Sequence, residues 1–147
     1  MKITLYAIVP GETREEAIEN AHGAFLELCP TKSEAPGGTN PIFDWYRLYA
    51  DLAEDEDSIY PTPDDDGIYP TSENETEELM DDVWDSMVEK FQSFEDKQDT
   101  IFEPCTVARY REYLIYDAKA RPVISPAHYN NLIEQDDHWV VAAWFSW

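Results

Sequence analysis

The stretch Trp139-Val140-Val141-Ala142-Ala143-Trp144-Phe145-Ser146-Trp147 decides the fold. Side chains alternate along a strand, so Trp139, Val141, Ala143, Phe145 and Trp147 share one face. The opposite face, with Val140, Ala142 and Trp144, is also mostly apolar, which predicts a strand placed centrally in a sheet. Before it, Ser125-Pro126 is an N-cap and first-turn pair for a short helix ending near Glu134. Val107 to Asp117 is rich in Tyr and β-favouring residues and predicts another strand, with a turn near Ala118-Lys119-Ala120 and a return over Arg121 to Ile124.

At the other end of the chain, Lys2 to Pro10 reads as a strand closed by Pro10-Gly11. Thr13-Arg14-Glu15-Glu16 has capping-box spacing and opens a helix with Ile18, Ala21, Phe25 and Leu28 on one stripe, stopped by Pro30. Thr31 to Asn40 is a Pro/Gly loop, and Pro41 to about Ala53 reads as a helix burying Ile42, Trp45, Leu48, Tyr49 and Leu52. The clearest helix runs from about Glu75 to Lys97, with Leu79, Met80, Val83, Trp84, Met87, Val88, Phe91 and Phe94 on its apolar side. The expected fold is α+β, one domain over residues 1–147. It consists of an antiparallel sheet, formed by the N-terminal strand and the C-terminal strands, packed on one side by two or three amphipathic helices. An acidic central insertion completes it.

Composition supports a packed domain. Hydrophobic residues make up 43% and aromatic residues 14% of the chain, which excludes a disordered acidic tail. No stretch approaches the roughly 18 apolar residues that span a bilayer, and the start of the chain is too short an apolar run for a signal peptide. Cys29 and Cys105 have no metal or redox spacing and read as two buried thiols in a reducing compartment. A cytoplasmic protein is expected, in the host cytoplasm if the chain is viral.

The charge is uneven. Of the net −22, residues 44–103 hold −18, from twenty-one acids and three bases. This block contains the run Glu54-Asp55-Glu56-Asp57 and two copies of Ile-Tyr-Pro-Thr, Ile59 to Thr62 and Ile68 to Thr71, with Asp64-Asp65-Asp66-Gly67 between them. The two copies read as aromatic anchors holding an acidic loop to the core. In the helix that follows, Glu78, Asp81, Asp82, Asp85 and Glu89 fall within roughly a 100° arc opposite the apolar side. Five acids over eleven residues give about one charge per ~4 Å, close to the ~3.4 Å phosphate spacing of one DNA strand. Like charges four residues apart oppose the helix by about 0.2–0.5 kcal/mol a pair, a cost that a cationic partner reverses.

Other chemistry is poorly supported. His22 sits at the edge of an apolar stripe, and His128 and His138 lack a nucleophile or pocket legible in sequence. No nucleotide-binding or hydrolase motif is present, so no enzyme is expected. Thr62 to Glu73 has the Asp64, Asp66, Gly67 and Glu73 spacing of a calcium loop, but Thr62 replaces the first Asp and Tyr69-Pro70 interrupts it. Loose cation association is expected there, with no specific metal and no cofactor. Asn74-Glu75-Thr76 matches a glycosylation sequon by chance.

The expected function is an acidic nucleic-acid mimic, a phage or viral inhibitor that fills the basic groove of a nuclease, restriction enzyme or CRISPR effector. It would bind a basic nucleic-acid-binding protein, without contacting nucleic acid or membrane directly. The contact residues would be Glu54, Asp55, Glu56, Asp57, Asp64, Asp65, Asp66, Glu78, Asp81, Asp82, Asp85 and Glu89, with Trp45, Tyr46, Tyr60 and Tyr69 as anchors. Two other readings fit the composition: a salt-adapted viral or archaeal structural protein, and an acidic adaptor for a basic host protein.

Overall fold

The C-terminal strand is hydrogen-bonded on both flanks, as its two apolar faces require. In the computed structural model, which describes residues 2–29, 43, 45–54, 65–95 and 113–146, the chain order is β1 (Lys2–Pro10), α1 (Arg14–Leu28), β2 (Trp45–Leu48), α2 (Tyr49–Glu54), β3 (Ile68–Pro70), α3 (Asn74–Glu95), β4 (Ile115–Asp117), α4 (Pro126–Ile133) and β5 (His138–Ser146). β1 pairs antiparallel with β5 along its whole length, from Lys2 opposite Ser146 to Pro10 opposite His138. β2 and β3 lie end to end along the other flank, Leu48 opposite Ala143 and Ile68 opposite Val141. Between them the Ala142 N–H donates to the Gly67 carbonyl at 2.8 Å. β4 adds to the far edge of β1 in parallel, Tyr6 opposite Ile115. The α+β class stands, but the sheet is mixed, because β4 follows a long excursion and enters β1 in its own direction.

Helices cover both faces of the sheet, a departure from the one-sided arrangement expected. Leu5, Ala7 and Val9 of β1 and Val141, Ala143 and Phe145 of β5 pack on Ala17, Ala21, Phe25 and Leu28 of α1. Ile18 ends half-buried, while Ala17 and Ala21 pack in the core with the sheet and allow close approach of the helix. The opposite face, with Ile8 and Val140, packs on Met80 of α3 and on Tyr129, Leu132 and Ile133 of α4. β5 is apolar on both faces and β1 adds Ile8 to the second, so a single helical layer would leave that face wet.

Several sequence expectations hold locally. The Thr13 side chain accepts from the Glu16 N–H at 3.2 Å, and the Glu16 carboxylate accepts from the Glu12 N–H at 3.3 Å. Ser125 caps α4 through the His128 N–H at 3.2 Å. The segment 41–53 differs: among its described residues Trp45 to Leu48 is an edge strand and the helix begins at Tyr49. Pairing with β5, and Tyr46 stacking on Phe145 with centroids 5.4 Å apart and planes 20° apart, override the helical spacing there. The second Ile-Tyr-Pro-Thr copy is strand β3, whose Thr71 hydroxyl donates to the carbonyls of Gln135 and His138 at 2.5 and 3.0 Å. The first copy lies outside the described residues, as does most of the expected strand over 107–117.

Gly67 is where the edge changes over from the acidic segment to β3. Its φ is +67°, and a Cβ there would lie 2.7 Å from Tyr49 Cβ and 3.0 Å from Ala142 Cβ. Backbone strain and overlap act together, so Gly67→Ala should cost about 2 kcal/mol or more. A thermal or denaturant melt of the variant checks this, and a loss under half that size would contradict the packing described.

Candidate interaction surface on the acidic helix

From Asn74 to Glu89, α3 carries seven acids and no Lys or Arg. The helix is fixed by its other side. Thr76, Met80 and Met87 are buried, and the Trp84 ring stacks on Tyr129 with centroids 4.8 Å apart and planes 7° apart. With ~100° per residue, Thr76, Met80 and Met87 centre the buried stripe, and Glu78, Asp82, Asp85 and Glu89 point about opposite to it. All seven acids, Glu75, Glu77, Glu78, Asp81, Asp82, Asp85 and Glu89, are exposed. Among the described residues no cation pairs with any of them. Glu75 and Glu77 also lie in the first turn, where the helix dipole favours negative charge.

Asp81 is tethered on one flank of this row. Its Oδ1 accepts from the Tyr129 hydroxyl at 2.7 Å. Burial and then the Asp81 carboxylate push the Tyr129 hydroxyl well above its ordinary pKa, so it stays a donor in alkali. On the other flank, Asp82 stands beside a cavity of about 360 Å³ lined by Ile3, Thr4, Tyr6, Val83, Ser86 and Leu114, among others. The floor of this groove was not legible in sequence: β1 contributes it, and only β1's own alternation put Thr4 and Tyr6 on one face.

Of the remaining predicted acids, Asp65 and Asp66 are tied into the turn before β3. Asp65 Oδ1 accepts from the Gly67 N–H at 2.8 Å and the Tyr69 hydroxyl at 2.6 Å. Asp66 Oδ1 accepts from the Ile68 N–H at 3.3 Å, and its Oδ2 pairs with Arg14 Nη2 at 2.9 Å. These two carboxylates turn the chain into β3 and fasten it to the start of α1. Glu54 ends α2, and Asp55, Glu56, Asp57 and Asp64 lie outside the described residues. The calcium-like spacing is not a loop along its length, because Ile68 to Pro70 runs in the sheet. Among the described residues no three His, Cys, Asp or Glu side chains are arranged to hold a metal.

Two of the four aromatic anchors, Tyr46 and Tyr69, pack within the fold. Tyr46 packs against Phe25 and Phe145 on the α1 side of the sheet, and its hydroxyl hydrogen-bonds His22 Nδ1 at 2.7 Å. Tyr69 packs against the core on the α3 side. Tyr60 lies outside the described residues. The sequon places Thr76 buried in the first turn of α3.

No family model, curated protein or solved structure matches this chain. Among the described residues, no helix is long and apolar enough to cross a membrane.

The tyrosines give a measurable signature of these contacts. Burial raises Tyr6, Tyr46, Tyr69 and Tyr129, Tyr46 to about 12, and neighbouring carboxylates add to the shift. A raised folded-state pKa favours folding fully below the unfolded value of about 10 and loses that contribution as pH climbs through the folded value. Stability should therefore fall from about pH 10 upward. In an absorbance titration, Tyr6, Tyr46, Tyr69 and Tyr129 should ionise above about 10 or only on unfolding. All four ionising near 10 in the folded protein would contradict the contacts.

Proposed function

We propose that this chain is an acidic nucleic-acid mimic that occupies the basic groove of a DNA- or RNA-binding protein. The observation that supports this reading is the outward row on α3, with seven exposed acids, no interspersed cation, and a backbone fixed by Met80, Met87 and Trp84. Charge on a rigid helix has a fixed spacing of about 4 Å, near that of one phosphate strand. A flexible polyanion would have to be ordered on binding, whereas this row is already ordered. The apolar groove beside Asp82 offers a place for the aliphatic stem of a partner Lys or Arg whose head meets the carboxylate. Association of this kind is steered by charge and weakens with salt. A nuclease, restriction enzyme or CRISPR effector of phage or plasmid targets has the required groove.

The variant that tests this carries Glu78→Gln, Asp82→Asn, Asp85→Asn and Glu89→Gln, leaving Asp81 on Tyr129. Removing three like-charge pairs at four-residue spacing should raise stability by about 1 kcal/mol. The same changes should abolish displacement of duplex or single-stranded nucleic acid from a bound target in competition assays. A variant that displaces nucleic acid as well as the parent protein would remove α3 from the mechanism.

A second reading, adaptation to high salt, draws on Glu15, Glu16, Glu19 and Glu27, which are exposed on α1 across the sheet from α3. Melting in sodium chloride separates the two. A salt-adapted domain gains stability up to molar concentrations, while a mimic folds without it and loses its partner within a few tenths molar.

A further inference from the structure

In a chain of net charge −22, two cations and two of the three histidines gather at one place. A cavity of about 270 Å³ opens where the parallel strands β1 and β4 end, and Asp117, Lys119, Arg121, His128, Asn131 and His138 are among its lining residues. Asp117 is 3% exposed. Its Oδ1 accepts from the amides of Lys119 and Arg121 at 2.9 and 3.0 Å. Its Oδ2 accepts from Arg121 Nε at 2.7 Å and faces His128 Nε2 at 3.2 Å. Burial alone would raise this carboxyl's pKa, but the two amides and the guanidinium outweigh it and hold the pKa below the ordinary value. Asp117 is therefore ionised at neutral pH, and its acceptor capacity is filled from within the fold.

Those bonds leave cationic donors over at the cavity. Held through Nε, Arg121 keeps its two terminal nitrogens as donors, on a side chain that is 65% exposed. His128 is held through Nε2 by Asp117 and His138 through Nδ1 by Asp137 at 2.9 Å, so each ring adds a second donor only in its protonated form. Lys119 and Asn131 add an ammonium and an amide. These groups come from the β4 turn, α4 and β5, so they surround a ligand from different sides. A tetrahedral oxyanion presents acceptors in that many directions, whereas a carboxylate presents two oxygens in one plane. The volume lies below the several hundred Å³ of pockets for larger ligands, and the ends of parallel strands are where open sheets commonly bind small molecules.

We propose that this cavity binds the phosphate group of a small molecule, with Arg121 and Lys119 as its cationic contacts and Asp117 as the positioning residue that aims Arg121 and His128. The site is separate from the acidic row on α3, and neither reading depends on the other.

The test titrates the intact chain with inorganic phosphate and with methyl phosphate, at fixed pH and ionic strength, and follows the His128 and His138 ring signals and the Lys119 and Arg121 amides by NMR. Both ligands should give saturable shifts at these residues. Arg121→Gln keeps both backbone bonds to Asp117 and should weaken binding about tenfold, the size of one charge-assisted hydrogen bond. Lys2→Gln removes the same charge at the far end of β1 and should leave affinity unchanged. Should Arg121→Gln fail to fold, Lys119→Gln takes its place in the comparison. The proposal is overturned by the absence of saturable shifts, by equal weakening in the pocket and Lys2 variants, or by binding of inorganic phosphate without methyl phosphate.

Discussion

The pairing of β5 along both of its flanks holds the molecule in register. β1 lines one side for nine residues, and β2, Gly67 and β3 line the other, so no part of β5 from His138 to Ser146 is an edge on both sides. Ala142 and Ala143 sit at its middle, small enough for Gly67 and Tyr49 to come down on one face and for α1 to approach the other. Larger residues there would push the two edge strands apart at the point where the chain leaves Leu48 and returns at Ile68. The elements that carry charge hang from this frame: α3 and α4 through Ile8 and Val140, and α1 through Val141 and Phe145.

That frame explains why α3 tolerates its own charge. Burying Met80 and Met87, each 1% exposed or less, favours the helix by about 1.5–3 kcal/mol apiece. The like-charge pairs on the opposite side oppose it by about 1 kcal/mol in all. Packing wins, and it also decides direction: with Thr76, Met80 and Met87 inward, the acids four residues apart have only the outer side left. The Trp84–Tyr129 stack and the bond from Tyr129 to Asp81 fix the helix's rotation as well as its position.

The parts of this arrangement written as local periodicity were legible in sequence. β5, β1, the caps of α1 and α4, and the two sides of α3 follow from alternation or helical spacing within one segment. Trp45 to Leu48 was not, because Leu48, Tyr49 and Leu52 keep helical spacing while the pairing that makes a strand comes from residues 143–146. The parallel entry of β4, and hence the mixed sheet, leaves no local trace at all. Asp65 and Asp66 show the same limit at the site: a run of three Asp reads alike whether its carboxylates face solvent or, as here, accept from Gly67, Ile68, Tyr69 and Arg14. His128 and His138 were visible as titratable groups, but the cavity they share is built from β1, β4, α4 and β5 and exists only once those are assembled.

Asp65 and Asp66 are bonded into the turn before β3 rather than carried on α3, yet Asp65 acts on Tyr6, which lines the groove beside Asp82. A duplex shows two phosphate rows to one groove, and a single helix face shows one. The exposed acids of α1 offer no substitute, since α1 and α3 pack on opposite faces of the sheet and their outward sides point away from each other. Among the described residues, then, the acidic row on this side of the sheet is that of α3, with Asp65 added through Tyr69 and Tyr6 near the hollow beside Asp82. Under the proposed function, a partner groove that takes the α3 row meets the hollow beside Asp82 in the same contact, so a cationic head and its aliphatic stem are bound together.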